Sequence, residues 1–291
     1  MKKRSKLIWF PVIGLASLLG IYILFTLGRP APIPIKREVY KGVTYRRIVY
    51  PFPHPMIAHV LVIDKKSAEI KFLVTPEGES GDGTVPARTT SQFLEDFGVQ
   101  VAINGDGFYP WWSRSPADYY PHQGEPVTPN GFTASSGNAY ADGQQDGKPE
   151  PTLFISKRND LTFNREPGNI HHAISGDKML IMSGEIVPDL GDEVVHPRTA
   201  IGINRNGRYI YLLVVDGRQP FYSTGATYQE LAEILKDMGA FLGMALDGGG
   251  SSTMVIEDDD GKPLILNSPI DSYIPGRERP VANHIGIYID P

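Results

Sequence analysis

Two hydrophobic periods organise this chain. In TYQELAEILKDMGA, Leu231, Ile234, Leu235 and Met238 recur at helical spacing. Thr227 and Glu230 stand in a capping-box relation and Gly239 sits at the end. TTSQFLEDFG predicts a shorter helix with Phe93, Leu94 and Phe97 on one face and Gly98 as its stop. Elsewhere the apolar runs are short and β-rich. MIAHVLVID and AEIKFLVTP read as two strands of a hairpin joined through KKS. VQVAI reads as a buried strand stopping at Asn104, STMVIED as a return strand, and VANHIGIYI as the last strand.

The most informative unit is RTAIGINRNGRYIYLLVVDGR, two strand runs around Asn206-Gly207. With those two residues at the centre of the turn, Arg205 faces Arg208, Ile201 faces Leu212 and Arg198 faces Val215. Arg198, Asp216 and Arg218 then meet at the open end of the hairpin. Between residues 110 and 151 the periodicity vanishes into a segment rich in Pro, Gly, Tyr and Trp. Trp111, Trp112, Tyr119 and Tyr120 argue against plain disorder there. They suit either a loop that lines a sugar site or one that packs on its own domain. Strand runs, two helices and long connections predict an α+β fold of mixed, largely antiparallel sheets in a single catalytic domain.

The 291 residues carry 28 basic and 33 acidic side chains and no cysteine. The mildly acidic balance excludes nucleic acid as the expected partner, and disulfides, thiolate metal sites and a cysteine nucleophile are out. The start of the chain is informative about location. Basic MKKRSK precedes residues 7–27, which form a charge-free apolar run long enough for a bilayer core. Residues 1–28 thus predict an uncleaved signal anchor, with a cleaved signal peptide as the rival. Residues 29–40 follow as a Pro-rich linker, and 41–291 as one extracytoplasmic domain on a single-pass membrane protein.

Candidate chemistry comes from strands that break off at polar groups beside glycine. AINGDGF leaves Asn104 and Asp106 after a strand, and HPRTAIG starts one at Arg198. VVDGR ends one at Asp216 and Arg218, and LDGGGSS ends one at Asp247. Singly, each is a capped turn. Together they predict one shared polar edge, with two arginines and a glycine turn suited to a phosphate or phosphodiester. The Gly248–Gly250 stretch is either a ligand-binding nest or a tight connection supplying positive φ. It matches neither a Walker loop nor a dinucleotide fingerprint.

On AINGDGF, PRTAIGIN, LLVVDGRQP, GATYQELAEILKDMGA, ALDGGGSSTMV and RPVANHIGI, in that order, the chain resembles the phosphodiester glycosidase family. The resemblance implies hydrolysis of a sugar-1-phosphodiester at its glycosidic bond, with a phosphorylated carbohydrate as partner. It implies a pocket built from Asn104, Arg198, Asp216, Arg218, Asp247, Gly248, Gly249, Gly250, Ser251 and Asn283. Asp247 is the first-choice base or nucleophile and Asp216 the alternative, with Arg198 and Arg218 stabilising charge. Asn104 and Asn283 are expected to orient sugar hydroxyls, and backbone N–H groups from Gly248 to Ser251 to bind oxygens. Asp106 departs from the family pattern and is read as either a pocket carboxylate or a turn residue. No cofactor is implied, and a divalent cation stays open.

Other residues read more plainly. His172, beside His171, is a weak pocket candidate, and His284 is a proton donor or a core residue. Glu257–Gly261 is a solvated turn rather than a calcium loop. Two rival functions stand beside hydrolysis of the glycosidic bond. One is a non-catalytic glycan-binding protein of exopolysaccharide assembly or export. The other is a phosphatase or phosphodiesterase with Ser251 as nucleophile.

Overall fold

The computed structural model describes residues 29–143, 150–191 and 194–289, with positions 12–14, 17, 18, 20 and 21 near the start. Most of the predicted anchor therefore lies outside the described residues. Among the described residues, no helix is long and apolar enough to cross a membrane.

The hairpin around Asn206-Gly207 sits at the centre of the largest sheet, in the expected register: Arg198 pairs with Val215 and Ile201 with Leu212. The turn itself is wider than a two-residue type. Gly207 donates to Asn204 O (3.0 Å), and only Gly207 of the central pair takes positive φ. A symmetric widening leaves the register unchanged, so the expected pairs survive.

That sheet runs Ile35–Tyr40, Val43–Tyr50, Met56–Asp64, Tyr209–Val215, Arg198–Ile203, Leu242–Leu246, Lys178–Met182, Glu185–Ile186. A second runs Pro263–Ile265, Met254–Glu257, Val101–Asn104, His284–Ile289, Ile70–Val74. A third runs Asn138–Asp142, Phe132–Ser135, His172–Ser175, Thr152–Ile155, Leu161–Phe163. Every strand pairing in these three sheets is antiparallel. Their inner faces share one core, in which Leu61 and Leu212 meet Ile103, Ile285, Leu153 and Ile174.

The two predicted helices close the outer faces. Helix α1 (Thr90–Phe97) has a capping box from Thr89 and Gln92 and ends at Gly98 in the left-handed region. Its Phe93 and Leu94 pack against the second sheet with Ala102 and Val255. Helix α2 (Tyr228–Asp237) has the expected Thr227–Glu230 capping box. Leu231, Ile234 and Leu235 pack on the first sheet with Ala200 and Leu213. Strand Arg198–Ile203 is consequently buried along its whole length.

Three expectations need correction. Met56–Asp64 and Ile70–Val74 are not a hairpin: the first pairs with Val43–Tyr50 and Tyr209–Val215, the second with His284–Ile289. The turn at Asp64–Ala68 carries the chain from one sheet to the other. The 29–40 linker is not a free spacer, because Ile35–Tyr40 is an edge strand paired with Val43–Tyr50. Among its described residues, the 110–151 segment holds five strands of three to five residues, including Trp112–Ser115, Asp118–Tyr120 and Pro126–Pro129. Strands that short show no period in sequence.

Candidate active site

Antiparallel pairing places the start of Arg198–Ile203 beside the ends of Tyr209–Val215 and Leu242–Leu246, so Thr199 lies between Val214 and Leu246. The second sheet delivers the end of Val101–Asn104 to the same place. Asp247 N–H donates to Gly105 O (2.9 Å) and Asn104 Nδ2 to Asp247 O (2.8 Å). The shared polar edge therefore exists, and it borders a cavity of about 470 Å³. Three guanidinium groups (Arg198, Arg218, Arg279) and four carboxylates (Asp106, Glu150, Asp177, Asp247) line it. Trp111, Asn130, His196 and Tyr228 complete most of the wall.

Asp247 is held at the start of the glycine turn, with Gly248 N–H donating to its Oδ1 (2.8 Å). Burial raises its pKa, while the Ser251 hydroxyl, Arg279 and the Gly248 N–H act in the opposite direction. Asp106 accepts from Gly107 N–H (2.7 Å) and Gly131 N–H (2.8 Å), so it is both turn residue and pocket carboxylate. Burial, then the charge of Glu150, raises its pKa well above the ordinary value, with Asp247 adding to the rise. The Gly131 and Gly107 N–H groups oppose the rise at Asp106, as Arg279 does at Asp247. Burial thus shifts both carboxyls toward the neutral form, and Arg279 opposes that shift at Asp247.

This has a consequence for stability. Ionising Asp106 is costlier in the folded protein than in the unfolded chain. Below pH about 4 both states are protonated and nothing is lost. As pH climbs from there the unfolded chain ionises first, and stability falls until the folded pKa is passed. Asp106→Asn removes the effect, so its melting temperature gains on that of the wild type as pH rises above about 4. A difference that stays flat across that range would refute the raised carboxyl.

The glycine turn does something other than expected. Gly248 N–H is taken by Asp247, Gly249 N–H by Pro197 O (2.8 Å) and Ser251 N–H by Gly248 O (3.3 Å). The backbone is thus not an open anion nest. The bare Cα atoms instead make room for arginines. A Cβ at Gly249, which has φ +65°, would stand 3.0 Å from Nη2 of Arg218. A Cβ at Gly250 would stand 2.4 Å from Nη2 and 2.6 Å from Cζ of Arg279. Burial lowers the Arg218 pKa, as do the charges of Arg279 and Arg198, while Tyr273 and Asp247 raise it. Converging like charges of this kind define an anion site.

Arg198 spans from the sheet to α2, with Nε donating to Ala226 O (3.2 Å) and its guanidinium 3.8 Å from the Tyr228 ring centre. Tyr228 in turn donates its hydroxyl to Asp177. Arg279 is fixed by Asp271 (2.8 Å) and lies 4.7 Å from the Trp111 ring centre.

Several expected site residues stand behind the cavity rather than in it. Asp216 is fully enclosed: His59 Nε2 lies 2.9 Å from it, and Ser268 N–H (2.6 Å) and Asn267 Nδ2 (3.2 Å) donate to it. Its carboxylate is consumed in holding the Asn267–Ser268 segment, so it is not the alternative base. Asn104 Oδ1 accepts from the Thr199 hydroxyl (2.8 Å) and Thr253 N–H (3.1 Å). Asn283 Oδ1 accepts from Asp106 N–H (2.8 Å) and its Nδ2 donates to Thr133 (3.1 Å). Both amides are fully buried, are bonded to the backbone of Asp247 and Asp106, and do not line the cavity. Ser251 is 1 % exposed and does not line the cavity, so its burial gives no support to a nucleophilic role.

Of the aromatic loop, Trp111 alone joins that wall. Trp112 stacks on Tyr120, and Tyr119 packs on His122 and Arg277. His172 is buried in its strand and His284 stacks on Phe93, both away from the cavity. Burial lowers their pKa values to about 4 and about 3. Sequence reasoning missed Asp177, Arg279, Glu150 and Tyr228. Two had a signal: Gly176-Asp177 repeats the glycine-aspartate break between strands, and Arg279 opens the RPVANHIGI motif.

The sheets thus deliver carboxyl and guanidinium groups to one cavity. The phosphodiester glycosidase family model matches residues 73–288, and the chain belongs to that family. Among solved structures it resembles the catalytic domain of zebrafish N-acetylglucosamine-1-phosphodiester alpha-N-acetylglucosaminidase, auto-inhibited by its pro-peptide. That match has a TM-score of 0.59 at 20% identity, over 89% of this chain and 84% of that one. A hypothetical protein from Synechocystis matches with TM-score 0.55 at 15% identity, over 89% and 64% of the two chains. A putative exported protein from Burkholderia pseudomallei K96243 matches with TM-score 0.53 at 15% identity, over 80% and 74%. No curated protein matches.

Proposed function

We propose that this protein hydrolyses the glycosidic bond of a sugar-1-phosphodiester, releasing a free sugar and a phosphomonoester. The observation that carries this reading is the division of one cavity between guanidinium groups and carboxyls of raised pKa. Arg218 and Arg279 stabilise the departing phosphate, which carries one charge as the diester and gains a second as the glycosidic bond breaks. Asp247, whose ionised form Arg279 favours, faces the anomeric carbon as nucleophile or base. Asp106, whose burial favours its neutral form, donates a hydrogen bond or proton toward the departing oxygen. The apolar run at 7–27, after a basic start, supports a membrane anchor with the domain outside the cytoplasm. On that placement the substrates are sugar phosphodiesters of envelope or exopolysaccharide glycans.

The test is turnover of a panel of sugar-1-phosphodiesters in ¹⁸O-labelled water, with and without chelator. Label is expected in the released sugar. Label in the phosphate would replace this reading with P–O cleavage, and tight binding without turnover would make the protein a glycan-binding one.

A further inference from the structure

The residue two positions after the apolar run is seated in the domain. Arg29 donates to Gln219 Oε1 (2.5 Å) and to Ser268 Oγ (2.9 Å), and its guanidinium lies 4.2 Å from the Tyr222 ring centre. Gln219 and Ser268 are buried and bonded to each other (2.8 and 2.9 Å). Gln219 follows Arg218 directly, so the chain entering the domain is fastened to the loop that carries a cavity arginine. Beyond it, Ile33 O accepts from Arg47 Nε (2.8 Å) and the edge strand begins at Ile35. The path from residue 29 to the sheet is thus tied down at both ends.

Large apolar side chains stand uncovered around this seat. Phe52 is 83% and Phe221 73% exposed. Their loops are joined, with Thr224 N–H donating to Pro55 O (2.8 Å) and Ile57 N–H to Ser223 Oγ (3.0 Å). Single exposed apolar residues are ordinary, but these flank the point where a 21-residue charge-free run ends. Within that run Val12, Ile13, Leu18 and Ile21 are all more than half exposed. Residues 29–50 also carry six basic side chains against one acidic, Glu38. That balance suits an anionic lipid surface.

We propose that this face rests on the bilayer, with Phe52 and Phe221 in the interface and Arg29 holding the Arg218 loop at the membrane. The cavity then opens on sugar phosphodiesters held at the lipid surface rather than on freely diffusing ones. This rests on the N-terminal segment acting as a membrane anchor, but not on the chemistry assigned to Asp247.

The absence of cysteine makes the test clean, because one introduced thiol takes one label. Phe52→Cys, Phe221→Cys and Asp259→Cys are each made in the full chain, labelled with a nitroxide, and reconstituted into phosphatidylcholine–phosphatidylglycerol vesicles. Asp259 is the reference because it lies at the far end of the edge strand, where Tyr40 donates to Glu257 O (2.5 Å). The ratio of oxygen to water-soluble nickel accessibility is expected to be about fivefold higher at 52 and 221 than at 259. Equal ratios at the three positions would overturn the proposal, as would failure of the chain to stay with the vesicles. Activity is not read in this experiment. An active enzyme with equal ratios loses the surface and keeps the chemistry, and an inactive one with unequal ratios does the reverse.

Discussion

Asp247→Asn is expected to lower kcat for sugar-1-phosphodiester hydrolysis by at least about 1,000-fold while leaving substrate affinity within a few-fold. The amide keeps the shape of the side chain and can still accept from Gly248 N–H, so the turn is retained. What it loses is the carboxyl group to which the proposed mechanism assigns attack at the anomeric carbon, and no other carboxyl stands at that turn. Affinity is measured separately, by calorimetry with a non-hydrolysable phosphonate, because the arginines that bind the phosphate are untouched. Turnover within tenfold of wild type would remove Asp247 from the chemistry. Attention would then pass to Asp177, the carboxylate hydrogen-bonded to Tyr228.

The second large effect comes from a single methyl group. Gly250 has no positive φ, so Gly250→Ala leaves the backbone unstrained and acts only through its new Cβ. That atom would stand 2.4 Å from Nη2 of Arg279, inside any tolerable contact. Arg279 must swing away, giving up its bond to Asp271 and its place against Trp111. Losing one charge-assisted contact to the phosphate is expected to raise KM roughly 30-fold, about 2 kcal/mol, with a smaller fall in kcat. An unchanged KM would show that Arg279 does not hold the substrate. Gly249→Ala is the less clean variant, because φ +65° adds backbone strain to the clash with Arg218.

These two variants separate what could be read from sequence from what could not. Asp247 was legible because an apolar strand ending at an aspartate, then glycine, is a local signal. The reason for the glycines was not. LDGGGSS reads as backbone bared for a ligand, yet the turn's N–H groups are mostly used internally and the space belongs to Arg218 and Arg279. Arg279 is distant in sequence from that turn, so no local pattern could pair them. Asp216 fails for the complementary reason. It has the same glycine-flanked strand end as Asp247, but its carboxylate meets His59 and Ser268, whose positions depend on packing between sheets.

By itself the sequence determined the local elements: the two capped helices, the register from Arg198 to Val215, the strand ends and the family motifs. Each rests on interactions within a few residues or across one turn, where spacing dictates geometry. Tertiary structure alone decided that Met56–Asp64 and Ile70–Val74 join different sheets. It also decided that Asn104 and Asn283 hold the backbone of Asp247 and Asp106, and that Asp106, Glu150, Asp177 and Asp247 share one cavity with three arginines. Those outcomes depend on which sheet faces which, a matter of long-range burial that leaves no period in the chain.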